Sequence, residues 1–178
     1  AGGGLSSAPI LLHSVDFAQI AALQKADKWD EAGEILADAA AGLQRAGAQV
    51  MVLATNTMHL VAPQIEAAIS IPFVHIADAT AVAIRARGLT RPGLIATGFT
   101  MEKPFYIERL QTHGLSPVVP DDASRAAIHG IIFDELCRDV VTDASREVFQ
   151  TAAQDLADAG ADSLILGCTE VGLLLGQH

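Results

Sequence analysis

The stretch Leu164-Ile165-Leu166-Gly167-Cys168-Thr169-Glu170 is an apolar run that stops at a glycine, a cysteine, a threonine and a glutamate. A short apolar run between turn-forming residues is typical of a strand that is covered on both faces of a sheet. We therefore predict a buried strand over residues 163–166, with Cys168 just past its carboxyl end. In open parallel α/β sheets ligands bind at that edge, where a following helix directs its unpaired N–H groups.

An earlier stretch has the same pattern. Residues 46–57 align without a gap on residues 159–170, and both copies begin with Ala-Gly-Ala after an amphipathic segment. Each copy predicts a helix, a glycine cap, a strand and a polar turn, so the pattern indicates a duplicated α/β unit. The alignment places Thr55 opposite Cys168, as counterparts across a pseudo-twofold axis.

The composition of the 178 residues suits an α/β protein, because 51% are hydrophobic and only 4% aromatic. A formal net charge of -10, with few and scattered Lys and Arg, argues against a nucleic-acid or anionic-membrane partner. No apolar run reaches the roughly 18 residues of a membrane span, and no signal peptide is visible. We therefore expect a soluble cytoplasmic protein.

Strands and helices alternate along the rest of the chain, which predicts parallel sheets with right-handed crossovers. Thr90-Arg91-Pro92 resembles a boundary, so we predict an N-terminal α/β domain over residues 1–89 and a C-terminal α/β domain over residues 90–178. A glycine- and serine-rich loop is predicted over residues 1–8. The other predicted strands are 9–15, 50–54, 71–76, 93–96 and 116–119, and the predicted helices are 30–46 with Asp30 as N-cap, 63–68, 77–87, 102–113, 123–138 and 143–159.

The two cysteines, Cys137 and Cys168, are expected to be free thiols, and the spacing of the cysteines and of the six histidines predicts no metal site. Cys137 is predicted within a helix beside its apolar stripe, in a structural role. Two interpretations of Cys168 remain open. It is either a small buried apolar residue, or a thiol whose pKa a nearby helix N-terminus lowers from about 8.5, giving a usable thiolate.

The polar residues at the predicted strand ends also have two interpretations. Asn56, Thr57 and Thr169 are turn or cap residues by default, and alternatively they are neutral donors that converge on a carboxylate. Thr97 and Thr100 follow a third predicted strand, and the same two interpretations apply to them. We predict His59 to be a water-exposed residue at a helix end rather than a catalytic one, and for His13 both interpretations stay open.

Three motifs then point to a family, namely Thr55-Asn56-Thr57-Met58-His59, Gly167-Cys168-Thr169-Glu170 and His13-Ser14-Val15-Asp16-Phe17. They resemble the signatures of the cofactor-independent aspartate/glutamate racemases, and the resemblance extends over essentially the whole chain. It implies two similar parallel-sheet α/β domains related by a pseudo-twofold axis, with the active site in the cleft between them. It also implies a small acidic amino acid as substrate, no pyridoxal phosphate or other cofactor, and a homodimer.

In that family two cysteines face each other across the substrate's α-carbon, and the matching positions here are Thr55 and Cys168. A threonine hydroxyl is a far weaker acid and base than a thiol. A subclass with threonine first and cysteine second is associated with L-aspartate and L-glutamate and with one-sided proton exchange. The resemblance therefore gives Cys168 and Thr55 catalytic roles. It assigns substrate binding to Gln24, Asn56, Thr57, Thr97, Thr100, Thr169 and Glu170.

The sequence departs from the family in three places. The family's first strand and its Gly-Gly-Met/Ser turn have no counterpart, since Gly2-Gly3-Gly4 belongs to a later loop, and the family's final strand and helix have none after His178. Ala127 stands where relatives carry a lysine that contacts the distal carboxylate. A chain this short would have each domain lacking an element, and we would then expect weak activity or none.

Two alternatives remain beside the racemase. One is another enzyme of the superfamily: arylmalonate decarboxylases keep only the second cysteine, and maleate isomerases use a cysteine for covalent addition. The other is a protein that binds an acidic amino acid without catalysis. The His-Ser-Val-Asp-Phe and Thr-Asn-Thr-Met-His motifs favour the racemase.

Overall fold

A computed structural model describes residues 4, 5 and 7–176 of the chain, and within them the fold is mixed α/β with parallel strands. The strands are β1 (Met51–Val52), β2 (Phe73–Val74), β3 (Pro92–Ile95) and β4 (Ser163–Leu166). The helices are α1 (Phe17–Lys25), α2 (Trp29–Arg45), α3 (Ala62–Ala67), α4 (Ile76–Arg85), α5 (Gly98–Glu102), α6 (Pro104–Thr112), α7 (Asp122–Asp134) and α8 (Asp143–Asp158). Short 3₁₀ segments are Thr57–Val61, Leu136–Arg138 and Thr169–Leu173.

The chain divides into two compact units. The first unit is Ala1–Val52 with Leu60–Val74, and the second is Leu53–His59 with His75–His178. The predicted domains, residues 1–89 and 90–178, group the residues differently from these two units. The two-domain division of the sequence stays a prediction.

The first unit is built on the amphipathic helix α2. Ala32, Leu36 and Ala40 lie one helical turn apart on its buried face, and α2 packs on α1 and α3. The helix begins at Trp29 after Lys28 rather than at a capping Asp30, and Asp30 instead accepts a hydrogen bond of 3.0 Å from Gln64. In the same unit β1 and β2 pair in parallel over two residues each.

The second unit is built on β3 and β4, which pair in parallel with Pro92 opposite Ser163 and Ile95 opposite Leu166. Every residue of β3 is buried, which is typical of a strand covered on both faces of a sheet. The helices α4 to α8 supply most of the rest of this unit's core, and the 3₁₀ segments add Leu136 and Val171. Its largest fully buried side chains include Tyr106, Leu110, Ile128, Ile132 and Phe149.

Three of the predicted elements are wrong. Residues 9–15 form no strand, and Ile10 and Leu12 are 81% and 84% exposed. The predicted helix 102–113 is two helices, α5 and α6, because Pro104 lacks the N–H that a continuous helix would need. The predicted strand 116–119 is reduced to one bridge between Gly93 and Val118.

Helix α1 has no counterpart among the predicted elements. Asp16 caps it by accepting a hydrogen bond of 3.0 Å from the Ala18 amide, so Asp16 is a capping residue in the structure. Cys137 is a further correction: α7 ends at Asp134, and Cys137 lies in a 3₁₀ segment with its side chain exposed. Of the predicted loop over residues 1–8, residues 1–3 and 6 lie outside the described residues.

Candidate active site

The carboxyl ends of β3 and β4 lie side by side and place two candidate residues, Thr97 and Cys168, directly after them. The pairing of the strands continues for one residue, where the Gly167 amide donates to the Ile95 carbonyl at 2.7 Å. A Cβ on Gly167 would lie 2.8 Å from the Ala96 Cβ, so only glycine lets the two backbones come this close. The predicted strand over residues 163–166 and the placement of Cys168 past its end are confirmed. The predicted burial of that strand on both faces is wrong, because Leu164 and Leu166 are 41% and 37% exposed.

Asn56 links the first motif to the second. Its Nδ2 donates to the Gly167 carbonyl at 2.9 Å, although the two residues are 111 positions apart in sequence. A carbonyl oxygen only accepts hydrogen bonds, so this contact fixes the orientation of the amide. The Asn56 Oδ1 is buried and has no partner among the described residues, which leaves a buried acceptor beside the end of β4.

Three threonine hydroxyls form a buried triangle next to this link. The Thr57 Oγ1 lies 3.0 Å from both the Thr97 Oγ1 and the Thr100 Oγ1, and the last two atoms are 3.3 Å apart. All three residues are buried, and Thr97 and Thr100 lie at the start of α5. The structure therefore brings together three of the threonines that the resemblance assigns to substrate binding, and that role stays a prediction.

Cys168 and Glu170 form a hydrogen-bonded pair. The Cys168 thiol donates to the Glu170 Oε2 at 2.8 Å, and the Thr169 hydroxyl donates to the same oxygen at 2.8 Å. Burial, followed by the hydrogen bond to Glu170 and the negative charge of that carboxylate, raises the pKa of the Cys168 thiol to about 12. Burial also raises the pKa of Glu170, but the hydrogen bonds from Cys168 and Thr169 outweigh it and hold that pKa below its usual value.

The lowered thiol pKa, which is one of the two interpretations of Cys168, is therefore wrong. The segment after Cys168 is a 3₁₀ turn of five residues, Thr169–Leu173, so no long helix directs its dipole at the sulfur. The nearest charge that acts on the thiol is instead the Glu170 carboxylate. The resting pair holds a neutral thiol beside an ionised carboxylate.

His59 is buried, being 2% exposed, and it is not the water-exposed residue that the sequence predicts. Its Nδ1 lies 2.6 Å from the Thr55 carbonyl, and its Nε2 accepts a hydrogen bond of 3.1 Å from the Ile76 amide at the start of α4. A carbonyl accepts and an amide donates, so the ring is neutral with its proton on Nδ1. Burial lowers the pKa of His59 to about 4.

Two further histidines accept backbone hydrogen bonds at helix starts. The His75 Nδ1 accepts from the Ala77 amide at 3.2 Å, and the His129 Nδ1 accepts from the Gly98 amide at 3.1 Å. Burial lowers the pKa of both rings. His129 thus holds the start of α5, where Thr97 and Thr100 lie, and sequence reasoning gave no signal for it because its partner is 31 residues away.

The remaining predicted site residues are placed as follows. Thr55 is half-buried, Thr169 is exposed and Ala127 lies within α7. Gln24 is buried in α1 of the first unit, and its role as a substrate contact stays a prediction. His13 is exposed.

The described residues hold no group of three or more His, Cys, Asp or Glu side chains arranged to bind a metal ion. Residues 4, 5 and 7–176 also contain no helix with the length and apolar character that crossing a membrane requires.

The chain is similar to several known proteins. Over 97% of its length it superposes on 75% of a candidate Asp/Glu racemase of Yersinia pestis, with a TM-score of 0.88 and 46% identity. It also superposes over 94% of its length on 73% of an aspartate racemase homologue of Pyrococcus horikoshii, with a TM-score of 0.78 and 34% identity. An uncharacterised protein of Pectobacterium carotovorum is 32% identical over 105 residues, which are 59% of this chain and 69% of that protein.

A family model described as Asp/Glu/Hydantoin racemase matches residues 3–178, which is nearly the whole sequence. The resemblance predicted from the three motifs is therefore confirmed at the level of the family. The chain belongs to the Asp/Glu/hydantoin racemase family.

Proposed function

We propose that this protein is a cofactor-independent amino-acid racemase in which the Cys168 thiolate removes the α-proton of L-glutamate or L-aspartate. The observation that carries the proposal is the hydrogen bond of 2.9 Å from Asn56 to the Gly167 carbonyl. It ties the Thr55-Asn56-Thr57 turn to the residue that precedes Cys168. Two of the three motifs on which the family resemblance rests therefore meet at one place in the second unit.

The proton of Cys168 has an acceptor in position. On substrate binding, the S–H bond breaks and Glu170 Oε2, which lies 2.8 Å from the sulfur, gains the proton. The thiolate then takes the α-proton, so that an S–H bond forms, the Cα–H bond breaks, and the electron pair is delocalised into the substrate's α-carboxylate. Return of a proton to the same face gives exchange, and return to the opposite face gives the D-enantiomer.

The neutral hydroxyls of the threonine triangle are suited to the negative charge that develops on the substrate. Hydrogen bonds to a carboxylate that strengthen as it becomes an enediolate lower the barrier to proton removal. The hydroxyls of Thr57, Thr97 and Thr100 are buried, where such bonds are stronger than in water. The unpartnered Oδ1 of Asn56 is an acceptor, so it suits the substrate's ammonium group better than a carboxylate oxygen.

Thr55 occupies the position of the first catalytic residue in this proposal. A hydroxyl is a poor proton donor at neutral pH compared with a thiol, so the step that delivers a proton to the opposite face is slow. We therefore expect L-substrates to exchange their α-proton faster than D-product accumulates. The proposal also includes the two-domain division at residues 89 and 90, Gln24 as a substrate contact, a homodimer and a cytoplasmic location.

The experiment follows α-proton exchange by NMR in heavy water, with L- and D-glutamate and L- and D-aspartate as four separate substrates. We expect exchange of at least one L-substrate, and a loss on the order of 1,000-fold in Cys168→Ser, because the base is removed while the shape of the residue is kept. Cys137→Ser is the matched control, since it removes the other thiol of the chain, which is exposed and interacts with Cys168 and Glu170 electrostatically. Its exchange rate should equal that of the wild-type protein.

No exchange of any of the four substrates by folded protein would overturn the racemase. Exchange that survives in Cys168→Ser would overturn the role of the cysteine. Release of carbon dioxide from a malonate substrate by the same preparations would instead favour the decarboxylase branch of the superfamily.

One observation favours a second candidate function, the binding of an acidic amino acid without catalysis. A thiol with its pKa raised to about 12 is un-ionised at neutral pH and is a poor base until Glu170 accepts its proton. Calorimetric titration with L-glutamate separates the two functions. Saturable binding without any α-proton exchange supports the binding protein, whereas binding together with Cys168-dependent exchange supports the racemase.

A further inference from the structure

His59 joins the turn that carries the first motif to the start of α4. Its Nδ1–H donates to the Thr55 carbonyl at 2.6 Å, and its Nε2 accepts from the Ile76 amide at 3.1 Å. Both bonds are buried, since His59 is 2% exposed. Both ring nitrogens are therefore engaged with backbone groups rather than with a position open to substrate.

The residues that follow Thr55 each reach a different part of the candidate site. The Asn56 side chain donates to the Gly167 carbonyl, and the Thr57 hydroxyl lies 3.0 Å from those of Thr97 and Thr100. A shift of the Thr55 carbonyl moves the backbone of Asn56 and Thr57 with it, because consecutive peptide planes share their Cα atoms. The hydrogen bond from His59 to the Thr55 carbonyl therefore helps to set the positions of the Asn56 and Thr57 side chains relative to the ends of β3 and β4.

We propose that His59 is a positioning residue for the proposed racemase, which fixes the Thr55-Asn56-Thr57 turn through its Nδ1–H bond to the Thr55 carbonyl. This inference rests on the proposed function. A misplacement of about 1 Å in a site of this kind costs on the order of 100-fold in rate, so the bond acts on catalysis without touching the substrate. His59 is therefore not a catalytic residue, because its ring bonds to the backbone, whereas the Cys168 thiolate is proposed to react with the substrate.

The surroundings of His59 favour the neutral ring that the proposal needs. The His75 ring lies 4.4 Å away, centroid to centroid, and Asp78 and Arg109 also act on His59 electrostatically. Asp78 is held by two hydrogen bonds from Arg109 and one from His113. Burial is the main cause of the pKa of about 4, with the Thr55 bond and Asp78 opposing it and His75 and Arg109 reinforcing it.

Two substitutions separate the two bonds of the ring. His59→Asn places an amide N–H₂ near the position of Nδ1 and keeps a donor for the Thr55 carbonyl, but it loses the acceptor for the Ile76 amide. His59→Gln reaches the position of Nε2 and keeps that acceptor, but it loses the donor to Thr55. The matched control is His113→Gln, because the described hydrogen bond of the His113 ring is to the Asp78 side chain rather than to a backbone group of the turn.

The test measures exchange of the L-substrate at saturating and at limiting concentrations, together with the midpoint of thermal unfolding. We expect kcat of His59→Asn to stay within about threefold of the wild type, and kcat of His59→Gln to fall about 30-fold. KM should change less than kcat in both, and His113→Gln should match the wild type. Equal losses in His59→Asn and His59→Gln that follow their losses of thermal stability would overturn the positioning role and leave a structural one.

An independent readout needs no activity. Nitrogen-15 NMR of the imidazole should show a proton on Nδ1 and none on Nε2 in the wild type, in His113→Gln and in the inactive Cys168→Ser variant. A proton on Nε2 in the folded protein would overturn the proposal even if His59→Gln fails to fold. Failure of the wild type to exchange any substrate would overturn the proposed function and the positioning role together, whereas exchange with the wrong tautomer would overturn only the latter.

Discussion

The two turns that align in sequence, Thr55–His59 and Gly167–Glu170, differ in the kind of group that supports them. In the first turn a neutral histidine holds the backbone, through the bond of 2.6 Å between His59 Nδ1 and the Thr55 carbonyl. In the second an ionised carboxylate holds a side chain, through the bond of 2.8 Å between Cys168 and Glu170. The first turn is thus held through its backbone, and the second through a hydrogen bond between side chains.

The same contrast appears in the strands that lead to the turns. β4 has four residues paired with β3, whereas β1 has only two paired with β2. Gly167 aligns with Ala54, and only Gly167 must lack a Cβ to let the neighbouring backbone approach. A duplicated pattern in sequence therefore need not give two equivalent sites, because the partners of each copy come from elsewhere in the chain.

The largest expected effect comes from removing the charge of the second turn in Glu170→Gln. We expect α-proton exchange to fall on the order of 100-fold, because the acceptor of the Cys168 proton is lost. Alkylation of Cys168 by iodoacetamide should become faster by about tenfold for each unit by which its pKa falls. Mass spectrometry of the labelled peptide measures that rate.

Glu147→Gln, at an exposed position of α8, is the control for this prediction and should change neither rate. If alkylation slows in Glu170→Gln while exchange is unchanged, then the carboxylate does not hold the thiol in its neutral form, and the contrast between the two turns fails.

Acid should lower the free energy of unfolding through His59, the histidine of the first turn. The pKa of His59 is about 4 in the folded protein, against an ordinary value of 6.5, so the unfolded chain binds more protons between these two values. Stability from this group is therefore complete above pH 6.5 and is lost as the pH falls toward 4, by about 3 kcal/mol at most. The lowered pKa values of His75 and His129 act in the same direction.

Urea unfolding from about pH 7 to about pH 4 measures this dependence, and His59→Asn should show a smaller slope than the wild type because the group that titrates is gone. Parallel curves for the two proteins would contradict the assignment of the acid sensitivity to His59.

Gly167→Ala tests the close approach in the second turn. The new Cβ would lie 2.8 Å from the Ala96 Cβ and 3.2 Å from the Leu94 Cδ1, so we expect the free energy of unfolding to fall by about 1–3 kcal/mol. Gly130→Ala in α7 is the control, because a Cβ there meets no atom within 4 Å and should stabilise the helix by about 0.5–1 kcal/mol. A Gly167→Ala protein as stable as the wild type would show that β3 and β4 separate there at little cost.

Thr55→Cys makes the two turns chemically alike and has the smallest expected effect. A second thiol should raise the rate of exchange of the D-substrate about tenfold, because a thiol transfers protons more readily than a hydroxyl. Exchange of the L-substrate should change little. An unchanged D-exchange rate, measured by NMR in heavy water, would show that the proton for the opposite face does not come from this position.

Much of the second unit could be predicted from local pattern. The predicted strand over residues 163–166 matches β4, and the predicted helix 143–159 matches α8 to within one residue. These elements combine clear periodicity with caps and a glycine at their ends, and Gly160 has the positive φ, 90°, that a helix stop needs. Local signals were enough there because they agree with the packing.

The rest depends on partners that are distant in sequence. An apolar run such as Ile10-Leu11-Leu12 predicts a strand, but pairing with another strand decides whether one forms. For His59 the sequence shows a polar residue after a turn, while its burial depends on the Ile76 amide, 17 positions later. The raised pKa of Cys168 depends on the direction of the Glu170 side chain, which spacing alone does not give.

The threonine triangle has a consequence for how the site meets a ligand. Its three contacts use three hydroxyl hydrogens, which is all that Thr57, Thr97 and Thr100 possess. A substrate carboxylate can therefore gain a hydrogen bond here only by replacing one that the threonines make with each other. Such a replacement adds little net affinity, so the triangle favours a ligand whose negative charge grows during the reaction and strengthens the new hydrogen bonds.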